Sequence, residues 1–526
     1  MEALEELVKD AYRTKILDTN ALHLLKNRYA VGNRCSFPSN ADMIQAYRNL
    51  IKKGELPEND GFLKSLRKRS VRSLSGIVSI TVITKNYPCP GNCVFCPAEP
   101  EMPKSYLSNE PAIMRAILNN FDSYRQTRNR IASLNKTGHH TNKVEVIVSG
   151  GTFTFYPRRY QTDFMRGIFN ALNFPASKSR SLEEAQKINE TAANRCIGLS
   201  FETRPDRINE EELKRLRRLG CTKIEIGVQS LNDRVLELNN RGHGIAQTKR
   251  ALQLLRDAAY KVNCHMMPNL YGSTPEMDYE DMVELFRNPA YRPDWLKIYP
   301  TMVVPWSQLE EIWKQGKYVP YSDDQLVDLL VKIKQVVPEY TRITRLYRDI
   351  PSTTILAGSK ISNIRQLIQS KMEKEGIKCR CIRCREIKGE KVKINELTLN
   401  VKEFEASEGR EFFITFDDEK RDKLCSLLRL RFSSYSLKGK KHFMKELEGA
   451  SLVREVHTYG EQVDISERQK AASQHIGLGR CMMMKAEEIS KRNGYRKIAV
   501  ISGIGVREYY RKLGYELEGT YMVKHL

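Results

Sequence analysis

Residues 75–97 read SGIVSITVITKNYPCPGNCVFCP. The first ten, rich in Ile, Val and Thr, predict a β-strand, so Cys89, Cys93 and Cys96 fall in CxxxCxxC spacing on the loop that follows it. Similar strands recur at KVEVIVSGG (143–151), RCIGLSFETRP (195–205), KIEIGVQS (223–230), KVNCHMMPNLYG (261–272) and WLKIYPTMVV (295–304), with RITRLYRDIP (342–351) as a seventh candidate. Helical stretches lie between them, such as EELKRLRRLG (211–220), stopped by Gly220. Strand-then-helix order with near-continuous apolar strands predicts an α/β unit, a parallel sheet covered by helices and curled into a barrel or part of one. Its functional residues should gather at the C-terminal ends of the strands.

Around this unit the chain changes character. At 526 residues it is long enough for three or four domains. Residues 1–72 predict short helices ending in the basic run Lys64, Arg67, Lys68, Arg69 and Arg72, and the barrel unit occupies 73–370. Residues 371–395, containing KCRCIRCRE, are too charged and too rich in Cys for a core element and predict a metal-pinned linker. Residues 396–526 predict a separate α+β domain: an antiparallel pair EFFITFDD and KLCSLLRLRF, the strand SLVREVHTYGEQV, a helix through MMMKAEEISKR, the strand KIAVISGIG, and a last helix and strand.

With 40% hydrophobic and 29% charged residues the chain is neither disordered nor a membrane bundle. The charged N-terminus and the lack of any run near 18 apolar residues predict a cytoplasmic protein with no membrane partner. Lys and Arg number 87 against 64 Asp and Glu, a net charge of +23, which favours a polyanionic partner, nucleic acid first. Twelve cysteines are too few for a disulfide scaffold. Six stand alone (Cys35, Cys196, Cys221, Cys264, Cys425 and Cys481) and are expected to be buried as small hydrophobes.

The other six form two clusters. Three thiolates as close as Cys89, Cys93 and Cys96 can hold three irons of a cubane cluster and leave the fourth iron open. A zinc site short of one ligand, or three unligated thiols, are the alternatives. Cys379, Cys381 and Cys384 form a CxCxxC set with no fourth cysteine nearby. Zinc suits a short charged linker, with a second iron–sulfur cluster as the rival. In the C-terminal region, SQHIGLGR places Gln474, Gly477, Leu478, Gly479 and Arg480 in a QxxGxG loop opening a helix, where backbone N–H groups can grip a pyrophosphate.

The first cluster resembles that of the radical S-adenosylmethionine (SAM) superfamily, which implies a 4Fe-4S cluster whose open iron chelates SAM and cleaves it reductively. Gly150 and Gly151 would then allow close approach of the cofactor's methionine part, and Glu202 and Gln229 could hydrogen-bond its ribose or adenine. Structural roles for these polar groups are equally open. The QxxGxG loop resembles the acetyl-CoA loop of GNAT acyltransferases. That likeness implies acetyl binding through the backbone of Glu455, Val456, His457 and Thr458, and a catalytic or orienting phenol at Tyr510 or its neighbour Tyr509. Tyr510 is otherwise an aromatic core residue.

Across nearly its whole length the chain resembles the Elongator catalytic subunit family in its single-chain form. The match is carried by CPGNCVFCP, SNEPAIMRAI, SGGTFT, FETRPD, GVQSLNDRVL, NRGH, HMMPNLYGSTPEMD, RPDWLKIYP, KCRCIRCRE, QHIGLG and ISGIGVREYYRKLGYE. The family carboxymethylates C5 of the wobble uridine in the tRNA anticodon loop, using acetyl-CoA and SAM, which implies an electron donor as well. Lys143 matches a family lysine associated with acetyl-CoA. CPAEP stands where CPGGP is more usual and GSTPEMD where GSDPEMD is. A protein lysine acetyltransferase with a structural iron–sulfur site, or a tRNA-binding scaffold with decayed sites, are the competing readings. A homodimer or added subunits are left open.

Overall fold

The computed structural model describes residues 2–14, 18–67, 76–388, 390, 392–459 and 477–526. Of the residues singled out above, Lys68, Arg69, Arg72 and Gln474 lie outside this set.

Seven strands form one parallel sheet in sequence order: β1 (Val78–Ile83), β2 (Lys143–Ser149), β3 (Arg195–Thr203), β4 (Lys223–Gln229), β5 (Lys261–Met266), β6 (Trp295–Ile298) and β7 (Arg342–Arg345). Since β1 and β7 do not pair, this is the partial barrel that the strand–helix rhythm predicts. Along β2, Val144, Val146 and Val148 are fully buried under the helices, whereas Lys143, Glu145 and Ile147, on the opposite face, remain partly accessible. The helix side is thus a conventional core, and the inner side is polar.

A second seven-stranded sheet has the order β13-β14-β12-β11-β10-β9-β8, built from β8 (Thr398–Ala406), β9 (Gly409–Asp418), β10 (Lys423–Phe432), β11 (Ala450–Thr458), β12 (Lys497–Val500), β13 (Glu516–Glu518) and β14 (Tyr521–His525). It is antiparallel except for the parallel pair β11–β12. The sequence reading did not contain β8. Its residues alternate Lys, Glu and Asn with single apolar positions and lie largely exposed, a pattern too polar to stand out as a strand.

The two sheets share one core. Leu447, Leu452, Ile504 and Tyr521 belong to the same apolar cluster as Ile224 and Val262 of the barrel. Residues 371–374, assigned to a linker by their charge, end the helix Ile364–Lys374, whose Met372 joins that core together with Cys381. Four helices between Glu2 and Leu66 bury their own cluster around Val8, Met43, Leu50 and Phe62. Of the six lone cysteines, Cys196, Cys221, Cys264 and Cys425 are buried as expected, but Cys35 and Cys481 are exposed. Cys35 follows the last turn of a surface helix and Cys481 lies on the outer side of the helix Leu478–Arg492, so neither is buried by a neighbouring element.

Candidate active site

The C-terminal ends of the barrel strands gather the first group of residues. Cys89, Cys93 and Cys96 lie on the loop after β1, which is tied down by Val94 N–H to Asn239 O (3.1 Å) and Leu309 N–H to Val94 O (2.9 Å). Arg241 points Nη1 at Cys93 Sγ at 3.4 Å, and Arg204 does so at 3.9 Å. Arg204 is held by Asp206 (2.8 Å) and Arg241 O (2.7 Å). A Cβ on Gly91 would come within 1.9 Å of the Arg204 guanidinium, so the loop needs glycine for this approach. Burial pushes the neutral Cys96 thiol up to about 11.

Gly150 and Gly151 follow β2 with φ of 131° and 94°, and Gly150 lies so close to Thr84 that a Cβ would meet its hydroxyl at 2.0 Å. Glu202, near the end of β3, accepts a hydrogen bond from Tyr106 (2.7 Å). Gln229 ends β4 with φ 77°, and its buried Oε1 has no partner among the described residues. A strained backbone with an unpaired buried amide, beside a trio of thiols, fits a polar ligand such as SAM. Neither arginine was singled out in the sequence, although both stand inside the quoted motifs FETRPD and NRGH.

Cys379, Cys381 and Cys384 lie elsewhere, with their sulfurs all within 4.8 Å of one another. Among the described residues they are the only such group of Cys, His, Asp or Glu. Tetrahedral Zn–S bonds of about 2.3 Å place thiolates about 3.8 Å apart, so the set fits a single ion. The trio 89/93/96 is more widely spread, as ligands to separate irons would be.

The second group collects at the other mouth of the barrel. Lys143 begins β2, about 20 Å from its end at ~3.3 Å per residue. The end of β11 packs against the starts of β5, β6 and β7: Glu455 accepts from Trp295 Nε1 (3.3 Å) and Arg429 Nε (2.9 Å). His457 faces Lys261 and Arg342, and its Nε2 is buried without a partner among the described residues. Burial and those two cations push the imidazole down to about 4. Val456 and Thr458 alternate with these residues along the strand.

Gly477, at φ 81°, caps the helix Leu478–Arg492. In its first turn a Cβ on Gly479 would meet the Tyr509 hydroxyl at 2.9 Å, with Arg480 next along the chain and near that phenol. Tyr509 is 40% exposed, whereas Tyr510 is 7% exposed and packs in the second sheet's core with Met482 and Tyr515. Of the two tyrosines, Tyr509 brings its hydroxyl to Gly479.

A parallel half-barrel with a three-cysteine loop after its first strand defines a radical SAM protein. The model of the radical SAM superfamily matches residues 87–286, and that of the Radical_SAM C-terminal domain matches residues 293–374. Over 99% of its length the chain is 41% identical to the tRNA uridine(34) acetyltransferase of Methanocaldococcus infernus, covering 98% of that protein. It is also 41% identical to Elongator complex protein 3 of Danio rerio, over 88% of this chain and 86% of that one. The structure of archaeal M. infernus Elp3 lacking residues 1–46 superposes with a TM-score of 0.75 at 40% identity, over 86% of this chain and all of that one. The chain belongs to the Elongator protein 3 family of tRNA uridine(34) acetyltransferases. Membership in the radical SAM superfamily implies a 4Fe-4S cluster and SAM. Among the described residues, no helix is long and apolar enough to cross a membrane.

Proposed function

We propose that this protein builds 5-carboxymethyluridine at the wobble position of tRNA from acetyl-CoA and SAM. The observation that carries this reading is the union, in one chain matched end to end by tRNA uridine(34) acetyltransferases, of a three-cysteine loop at one barrel mouth and a CoA-type glycine motif opening a helix of the second sheet's domain.

Removing a proton from the acetyl methyl would give an enolate, a nucleophile that does not bond the electron-rich C5 of uracil, so the coupling calls for a carbon radical. Cys89, Cys93 and Cys96 would hold the cluster, which with SAM would supply a hydrogen-abstracting carbon radical. Arg204 and Arg241 offset the cluster's negative charge. Glu202 and Gln229 hold the nucleoside part of the cofactor, and Gly150 and Gly151 admit its methionine part. Gly477, Leu478, Gly479 and Arg480, with Gln474, bind the CoA pyrophosphate. Lys143 and the backbone from Glu455 to Thr458 receive the acetyl end, and the phenol of Tyr510 or Tyr509 protonates the leaving thiolate or orients the thioester. The methyl group would give a hydrogen atom to that radical and its carbon would bond C5 of the uracil, whose C5 proton then leaves to solvent while the surplus electron returns to the redox couple that supplied the first one. Water then cleaves the thioester C–S bond, giving the carboxylate and the CoA thiol. Cys379, Cys381 and Cys384 would hold a structural zinc, and a cytoplasmic electron donor would serve the cluster.

The wobble base must leave its stack to react, so basic residues of the N-terminal helices and barrel rim hold tRNA phosphates, with affinity falling steeply as salt rises. The test uses anaerobic protein with reductant, both co-substrates and tRNA, analysed by nucleoside mass spectrometry. Carboxymethyluridine and 5′-deoxyadenosine should form, and both should vanish in Cys96→Ser. Acetylated protein without modified nucleoside would overturn the reading in favour of a lysine acetyltransferase.

A further inference from the structure

Val94 lies between Cys93 and Cys96, and both of its backbone groups are engaged: its N–H donates to Asn239 O, and its carbonyl accepts from Leu309 N–H. Two residues beyond Asn239 stands Arg241, whose Nη1 lies 3.4 Å from Cys93 Sγ. The short run from Asn239 to Arg241 therefore meets the cysteine loop twice, once through backbone and once through a cation. Whatever fixes that run fixes the loop.

Asn239 caps the helix Asp233–Leu238 and is completely buried. Its Nδ2 donates to Val235 O in the preceding turn and to Tyr271 O on the loop after β5, both at 2.8 Å. Both acceptors are carbonyls, so the bridge needs a side chain with two N–H donors, which an amide supplies. Its Oδ1 is left buried without a partner among the described residues, a cost that a leucine of similar size would not carry. The Tyr271 loop is braced in turn by one buried carboxylate. Asp278 accepts from Asn269 N–H (2.7 Å), Ser273 Oγ (2.6 Å) and the Tyr321 hydroxyl (2.8 Å), and the Tyr318 hydroxyl holds Asn269 O (2.7 Å). Asn269, Tyr271, Ser273 and Asp278 all belong to the motif HMMPNLYGSTPEMD (265–278), to which the reaction above assigns no role.

We propose that Asn239 is a positioning residue for the iron–sulfur cluster: it links the clamp on the cysteine loop to the Asp278-braced loop after β5, and so sets where Cys93 stands relative to Cys89 and Cys96. This rests on the cluster reading above. Three thiolates that each hold a separate iron must keep their mutual spacing, and such precision comes from the shell of hydrogen bonds behind the ligands. Cutting the Asn239 bridge releases Val94 and Arg241 together, because both are held by the same three-residue run. A role in packing alone would instead lower the stability of the whole barrel and leave the cysteine loop no more exposed than its surroundings.

Full-length Asn239→Leu keeps the volume and removes both donors. Before cluster reconstitution, its Cys93 should be alkylated about tenfold faster than in the wild type, the population change that losing one buried hydrogen bond brings, while the buried Cys196 of β3 stays protected. After anaerobic reconstitution, the electron paramagnetic resonance spectrum of the reduced cluster should be shifted or lost. Cys93 alkylated at the wild-type rate, Cys93 and Cys196 opening together, or an unaltered cluster spectrum overturns the proposal. If Asn239→Leu fails to fold by its melting curve, Asp278→Asn, which loosens the same tie from the far side, decides by the same readings. Wild-type protein that takes up no 4Fe-4S cluster overturns the cluster reading itself, and the alkylation rates then still decide whether Asn239 fixes the loop.

Discussion

Asp294, just ahead of β6, receives both terminal nitrogens of Arg454 from β11, with Nη1 to Oδ2 at 2.9 Å, and both side chains are almost completely buried. Arg429 stands 3.6 Å from the same carboxylate, and Glu411 takes the Nε of Arg454 at 3.2 Å. The pair therefore joins barrel and second sheet inside a low-dielectric seam. Removing the carboxylate takes one of two buried anionic partners from each guanidinium, leaving Arg454 to Glu411 and Arg429 to Glu455, so Asp294→Ala should destabilise the protein by about 3 kcal/mol in denaturant unfolding. The arginines hold this carboxyl below the usual carboxylate range. Its stabilisation is therefore complete at neutral pH and is lost as pH falls below the ordinary Asp value toward the depressed one, a loss absent from Asp294→Asn.

Gly503→Ala should disrupt the same seam sterically. A Cβ there would lie 2.2 Å from Ile197 O of β3, and backbone cannot move aside as a flexible side chain can. A loss of about 2–4 kcal/mol in thermal or chemical unfolding is expected, larger than for the exposed Gly494→Ala, which meets nothing within 4 Å but must adopt positive φ.

Arg241→Met removes the closer cation at Cys93. Cluster iron after anaerobic reconstitution should fall at least severalfold while the melting temperature changes little, read by iron analysis and absorbance.

With zinc proposed at the second cysteine trio, the wild type should carry about one zinc per chain by elemental analysis, and Cys384→Ser should abolish it and leave cluster iron intact. Since Cys381 belongs to the shared core, the variant should also melt at lower temperature. Zinc retained in Cys384→Ser, or lost in Cys96→Ser, would contradict this assignment.

His457 should stay neutral throughout the physiological range. Its folded pKa is lowered to about 4 from an ordinary 6.5, so the unfolded chain binds about one more proton between those values. Stability attributable to the neutral ring is complete above pH 6.5 and drains away as pH falls toward 4. The pH dependence of unfolding free energy in His457→Gln should be shallower over that window by about one proton.

The sequence by itself determined the parallel half-barrel, because β-branched strands and capped helices announce themselves locally, and it determined the two cysteine trios and the glycine loop, whose chemistry depends on short spacings. It left β8 hidden, since a polar edge strand acquires its pattern only from the neighbour it pairs with. Arg204 and Arg241 stood within quoted motifs, but their approach to Cys93 depends on strands far apart in the chain. Only the tertiary structure decided that Lys143 and Glu455–Thr458 lie at the mouth opposite the cysteine loop, that Tyr509 rather than Tyr510 faces Gly479, and that the lumen between the two sites is polar. Inward and outward positions of a strand look alike until curvature gives each face its environment, and a polar atom is known to lack a partner only when all its neighbours are in place.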